Sequence, residues 1–179
     1  TNNGTLTATA GTVEFNGSAP QTIPAAAFAT NTIKNLTINN ATGVTLAGAL
    51  NVTGIVTPTS GTLTTGGNLT LISNNSGTAR IAQGAGSYIF GTVNVQQYIP
   101  GGRRAYRFLG NPFNASLNMG SLIDNIYITG DGTIAGTGGA TTGTGFDATS
   151  SNAASSYWFD NTTTLPGSWK AFTGTADNS

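Results

Sequence analysis

Residues 44–73, "VTLAGALNVTGIVTPTSGTLTTGGNLTLIS", decide the fold, because they repeat one pattern without any charged side chain. Aliphatic residues recur there in triplets of the type apolar-polar-apolar. A first set of triplets is matched in order by a second, with offsets of 20, 19 and 19 residues. A period near 20 residues, made of three short strands, predicts a parallel β-solenoid. The matched positions are Leu36 with Val56, Val44 with Leu63, and Leu50 with Leu69.

The alternation within each triplet predicts the core. Because successive strand side chains point to opposite faces, two aliphatic residues face inward and one Thr or Asn faces water. Between the triplets the chain must turn, and positive φ angles are expected at the glycines there. These are Gly43, Gly48, Gly54, Gly61 and Gly66.

The repeat is less regular at both ends. Upstream, coil strands are expected at 13–15 and around Ile23, with "PAAAFATNTIK" (24–34) as an insertion. Downstream, Ile81, Ile89 and 93–95 complete a last coil. An ordinary antiparallel β-sandwich is the alternative, but its strands usually recur every 8–12 residues, roughly, whereas these strands are closer together.

Composition excludes several classes of function. Cys and His are absent, which removes disulfides, thiol nucleophiles, His-based triads and the usual zinc sites. Only 7% of residues are charged and the net charge is zero, so no basic stripe for nucleic acid exists. No apolar run is long enough to span a membrane. The single Glu and the scattered Asp give no carboxylate pair, so we expect no enzyme activity and no cofactor.

The composition changes near residue 93. Both Trp and four of the five Tyr follow it, and large aromatic residues supply the buried area of a compact domain. We therefore expect an all-β chain with solenoid coils over 1–92 and a β-sandwich-like module over 93–179. The ragged end at "FTGTADNS" suggests that this module is incomplete at its C-terminus.

Several segments of the second half carry a family resemblance. They are "VQQYIPGGRRAYRFLGNPF" (95–113), "IYITG" (126–130), "GFDAT" (145–149) and "YWFD…SWKAF" (157–172). Together with the repeats they resemble large secreted, repeat-containing, adhesin-like proteins of the Bacteroidetes, in which a Trp often stands where this chain has Tyr106. Many such proteins end in a sorting domain for type IX secretion. The resemblance implies an extracellular, cell-surface protein of structural or adhesive type.

Two groups of residues are candidate binding sites. Arg103, Arg104 and Arg107 carry guanidinium groups that suit planar anions such as carboxylates or sugar acids. The alternative is that they bind loop carbonyls and stack on aromatic residues at the junction. Trp158 and Trp169, with Tyr157, form either a sugar-stacking platform or a core cluster. Asp131 and Asp147 lie in Gly-rich loops, but two isolated carboxylates are too few for calcium.

Three functions follow as hypotheses. The first is a non-enzymatic structural or adhesive module of a large bacterial surface protein. Its partners would be neighbouring modules of the same chain, surface glycans or secretion machinery, with self-assembly through open coil edges as a further expectation. The second is a carbohydrate-binding module that uses exposed aromatic residues. The third is an ice-binding solenoid with outward Thr ladders, which the irregular pattern disfavours.

Overall fold

The chain forms two compact units, Thr1–Arg104 and Ala105–Ser179. In the computed structural model, the described residues are 4–83, 88–101, 119–120, 126, 128–129, 153–162 and 169–172. The strand at Val93–Val95 pairs with the preceding coil and lies in the first unit. The solenoid therefore continues past residue 92, where the composition suggested a boundary.

Parallel strands form the coils of the first unit, and all but Leu6–Phe15 and Phe28–Asn39 are two to six residues long. Within the described residues they are β1 (Leu6–Phe15), β2 (Gln21–Ile23), β3 (Phe28–Asn39), β4 (Val44–Leu46), β5 (Leu50–Val52), β6 (Ile55–Ser60), β7 (Thr62–Thr64), β8 (Leu69–Leu71), β11 (Arg80–Ile81), β12 (Tyr88–Phe90) and β13 (Val93–Val95). A small antiparallel hairpin of β9 (Ser73–Asn74) and β10 (Gly77–Thr78) leaves the last coil.

The strands lie on three faces of a coil. Face A contains residues 13–15, 36–39, 55–60 and 80–81. Face B contains 21–23, 44–46, 62–64 and 88–90, and forms a four-stranded sheet in the order β2, β4, β7, β12. Face C contains 32–33, 50–52, 69–71 and 93–95. The chain passes through faces C, A and B in turn and so returns one rung further along.

The predicted register is confirmed. Leu36 pairs with Val56, Val44 with Leu63, and Leu50 with Leu69, all in parallel. The last coil continues the same columns, as expected, through Ile81, Ile89 and Val93. The unit is thus a parallel β-solenoid of about four turns, and the antiparallel sandwich alternative is wrong for it.

The core is a stack of aliphatic side chains inside the coils. Its members come from all three faces, and each central coil adds the same kinds of residue to the same columns. Burying this apolar surface is the main stabilising term of the fold. The most deeply buried are Ile33, Leu36, Ile38, Val44, Leu50, Val52, Val56, Leu63 and Leu69.

The expected insertion at 24–34 is confirmed only in part. The coil that contains it is longer than the next one, since Gln21 pairs with Val44 and Val44 with Leu63, but the segment is not a loop outside the core. Phe28 and Ile33 are both buried, and Ile33 pairs with Val52 on face C. β3 runs through this segment and bends at Thr30 and Asn31, whose φ angles are +53° and +52°. A coil corner at this place is therefore made inside a continuous strand rather than by a glycine turn, which is why no triplet boundary is visible in the sequence.

The glycines between the triplets serve two different purposes. Gly43, Gly61 and Gly66 have positive φ angles, as predicted. Gly48 and Gly54 do not, and the expectation is wrong for them. A Cβ at Gly54 would lie 2.8 Å from the Lys34 carbonyl oxygen, and one at Gly48 would lie 2.7 Å from the Ala25 Cα. These two glycines are needed because adjacent coils approach closely at the corners.

The second unit is described at a few segments. β14 (Tyr157–Phe159) and β15 (Trp169–Ala171) form an antiparallel pair. The buried Thr129 donates its hydroxyl to the Ala153 carbonyl at 2.7 Å and accepts at its carbonyl from the Ser155 amide. Within the described part of the chain, no helix is both long and apolar enough to cross a membrane.

Candidate functional site

Two sets of candidate residues lie outside the described residues. They are the guanidinium cluster of Arg103, Arg104 and Arg107, and the loop carboxylates Asp131 and Asp147. Their binding roles therefore stay predictions. The two tryptophans, in contrast, lie in the described pair of strands β14 and β15.

The strand pairing places Trp158 and Trp169 on opposite faces. Phe159 pairs with Trp169, whereas Trp158 pairs with Lys170. Residues directly opposite each other in an antiparallel pair share a face, and neighbours along a strand do not. The structure thus does not bring the two tryptophans together in one platform.

One face of the pair is aromatic and open to solvent. This hairpin aromatic face consists of Tyr157, Phe159 and Trp169, which are 45%, 48% and 53% exposed. The rings of Phe159 and Trp169 meet edge to face, with centroids 5.0 Å apart and an interplanar angle of 68°. This edge-to-face arrangement is a preferred geometry for aromatic pairs, and about half of each side chain remains exposed to solvent.

The other face is held by an ion pair. Lys170 Nζ lies 5.5 Å from the centroid of the half-buried Trp158 ring and 2.5 Å from Asp160 Oδ2. Asp160 Oδ1 also accepts hydrogen bonds from the Thr162 amide and hydroxyl. The bonds from Lys170 and Thr162 lower the pKa of Asp160 to about 2. On this face the ammonium group of Lys170 lies beside the half-buried Trp158 ring, and a binding role of Trp158 stays a prediction.

A second pair of exposed aromatic residues lies on the solenoid and was not among the candidates predicted from the sequence. Tyr88 and Phe90 on face B are 60% and 63% exposed. They flank the inward-facing Ile89, which pairs with Leu63. The signal was present: once Ile89 is assigned to the core column, alternation requires both neighbours to face outward.

Outward threonines form a column on face B. Thr22 pairs with Thr45 and Thr45 with Thr64, so three hydroxyl side chains follow one another along the sheet. The column ends at Phe90, which pairs with Thr64 in the last coil. A uniform flat hydroxyl array, as an ice-binding face would need, is therefore interrupted after three rungs.

Charge is scarce on the solenoid and absent from face B. Between residues 4 and 101 the charged side chains are Glu14, Lys34 and Arg80. Glu14 and Arg80 belong to strands of face A, and Lys34 precedes face A within β3. Face B therefore presents a neutral surface of hydroxyls with two aromatic rings at one end.

Comparisons with known proteins add no relative to this description. No family model matches the chain, and no match was found among curated proteins or among solved structures.

Proposed function

We propose that the chain is a structural and adhesive module of a large bacterial surface protein. The observation that carries this proposal is the unbroken stack of coils in register around a single aliphatic core. In such a stack each coil contacts only its neighbours, and length grows without a change in cross-section. This is the property of a spacer that holds further modules at a distance from a surface.

The resemblance of 93–179 to secreted Bacteroidetes proteins supports the setting. On that basis the module is extracellular, is exported by type IX secretion, and contacts neighbouring modules of a longer chain and surface glycans. The second unit would be the β-sandwich-like module of such proteins. Its antiparallel strands and exposed aromatic residues agree with this assignment.

The test is surface display on the source cells. Antibodies raised against the purified chain are applied to intact and to permeabilised cells, with an abundant cytoplasmic protein as the matched control antigen. The proposal expects equal labelling of intact and permeabilised cells and loss of the signal after mild protease treatment. Labelling confined to permeabilised cells would contradict the proposal that the chain lies on the cell surface.

Carbohydrate binding is a second candidate, favoured by the hairpin aromatic face. Three aromatic side chains lie on one face of the strand pair, and each is about half exposed. Exposed apolar patches of this kind mark interaction sites. The variant Trp169→Ala should weaken binding to a glycan array, whereas Trp158→Ala should act through loss of folding of the strand pair. Unchanged glycan binding by the Trp169→Ala protein would show that the hairpin aromatic face is not the carbohydrate-binding site.

A further inference from the structure

Face B changes character in its last coil. The outward column Thr22, Thr45, Thr64 continues with Phe90, and the neighbouring outward residue Thr62 is followed by Tyr88. Both aromatic residues are more than half exposed. The preceding coil has Thr62 and Thr64 at the equivalent positions, so stable stacking of the coils does not require aromatic rings there.

The two rings lie in a fixed arrangement. They are two residues apart on one strand, which separates their Cα atoms by roughly 6.6–6.8 Å on the same side of the sheet. Thr62 and Thr64 lie directly beside them on the next strand, about 4.8 Å away. A pair of rings and a row of hydroxyls therefore lie side by side on the outer face of one sheet.

The chemistry of this surface points to a neutral partner. Face B carries no charged residue, so it offers nothing to the phosphates of nucleic acid or the carboxylates of acidic polysaccharides. Aromatic faces carry negative potential and attract the C–H groups that line one side of a pyranose ring. Threonine hydroxyls both donate and accept hydrogen bonds, as sugar hydroxyls do.

We propose that face B binds a neutral polysaccharide, with Tyr88 and Phe90 stacking on sugar rings and with Thr45, Thr62 and Thr64 bonding sugar hydroxyls. This inference rests on the proposed adhesive function and assigns it a ligand class and a surface. It is distinct from the hairpin aromatic face, which belongs to the other unit.

Affinity gel electrophoresis of the full chain tests the proposal. Native gels are cast with hydroxyethylcellulose, xyloglucan or mixed-linkage β-glucan, and with alginate as the acidic comparator. The decisive variant is Tyr88→Thr/Phe90→Thr, which gives the last coil the residues that the coil before it has in the same columns. Tyr98→Ala removes a 41% exposed tyrosine of the same unit outside face B and serves as the control. Trp169→Ala reports on the hairpin.

The wild-type chain should be retarded by at least one neutral gel and not by alginate. Because two stacking rings are lost, the double variant should bind at least about tenfold more weakly, with Tyr98→Ala unchanged. Loss of retardation in Trp169→Ala alone would move the site to the hairpin and overturn the proposal. Absence of retardation in all neutral gels would overturn it as well. So would a dimeric wild-type protein whose double variant is monomeric, because the two rings would then belong to an interface between copies of the chain. None of these results alters the surface-display test.

Discussion

Gly61 and Gly67 show the two structural reasons for which a position requires glycine, namely a left-handed backbone and lack of space for a side chain. Both have left-handed φ angles, +75° and +81°. A Cβ at Gly67 would meet nothing within 4 Å, whereas one at Gly61 would collide with the Asn40 carbonyl group. Gly67→Ala should therefore lose about 1–2 kcal/mol from the left-handed backbone alone. Gly61→Ala should lose on the order of 3 kcal/mol or more, because overpacking against the backbone adds to that cost.

Guanidinium unfolding followed by far-UV circular dichroism measures both losses. Similar values for the two variants would show that the coil corner relaxes and that the contact with Asn40 carries little energy.

Asn40 is a buried polar residue with all its partners inside the protein. Its side-chain amide donates to the Ala19 carbonyl at 2.8 Å and to Gln21 Oε1 at 2.9 Å, and its Oδ1 accepts from the Thr42 amide and hydroxyl. Asn40→Ala leaves these groups unpaired and should cost about 2–4 kcal/mol. The neighbouring Asn39 is exposed, and Asn39→Ala should change stability by less than about 0.5 kcal/mol. Equal effects in thermal or denaturant unfolding would mean that water replaces the Asn40 side chain.

At the scale of single elements, the strand pair β14–β15 should respond to acid. The pKa of Asp160 falls from an ordinary 3.8 to about 2, so the folded strand pair favours the carboxylate. Its stabilisation is complete above pH 3.8 and is lost as the pH falls toward 2. Both tryptophans of the chain lie in this strand pair, so their fluorescence reports on it alone. We expect a fluorescence transition between pH 4 and pH 2.

Asp160→Asn is the matched variant for this titration. It keeps an oxygen for Thr162 but removes the charge that binds Lys170. The variant should show the acid-type fluorescence already at neutral pH and no transition below pH 4. A transition of unchanged size in Asp160→Asn would assign it to another carboxyl group.

The elements that the sequence predicted well are those with strict local periodicity. Leu36, Val44 and Leu50 could be matched to their partners because a parallel rung repeats side-chain type at fixed spacing. β3 was not foreseen, since its bend uses Thr30 and Asn31 where a glycine would be expected. The exposed position of Trp169 could not be read from sequence either, because it depends on which face of the strand pair other residues cover.

At the scale of the whole molecule, the solenoid is a sum of nearly equivalent coils. Each central coil buries the same kinds of side chain and bonds to the coils on both sides. The free energy of unfolding of the solenoid is then expected to be the sum of the intrinsic stability of each coil and the interface energies between adjacent coils. Polar corners such as Asn35, which donates to the Gly11 carbonyl and accepts from the Ile55 amide, join three successive coils.

This additivity can be tested by removing one coil in register. Deletion of residues 50–68 joins Ala49 to Leu69 and should leave a folded solenoid, because Leu71 then takes the place of Val52 beside Ile33. The denaturant m-value of the solenoid should fall by about a quarter, since it scales with the surface exposed on unfolding and one of about four turns is gone. Deletion of residues 50–59 is the control, because it removes half a coil and puts face C residues beside the wrong columns. That variant should not fold. If both deletions unfolded the protein, the stability of the solenoid would not be additive over its coils. If both were tolerated, folding would not depend on the register of the columns.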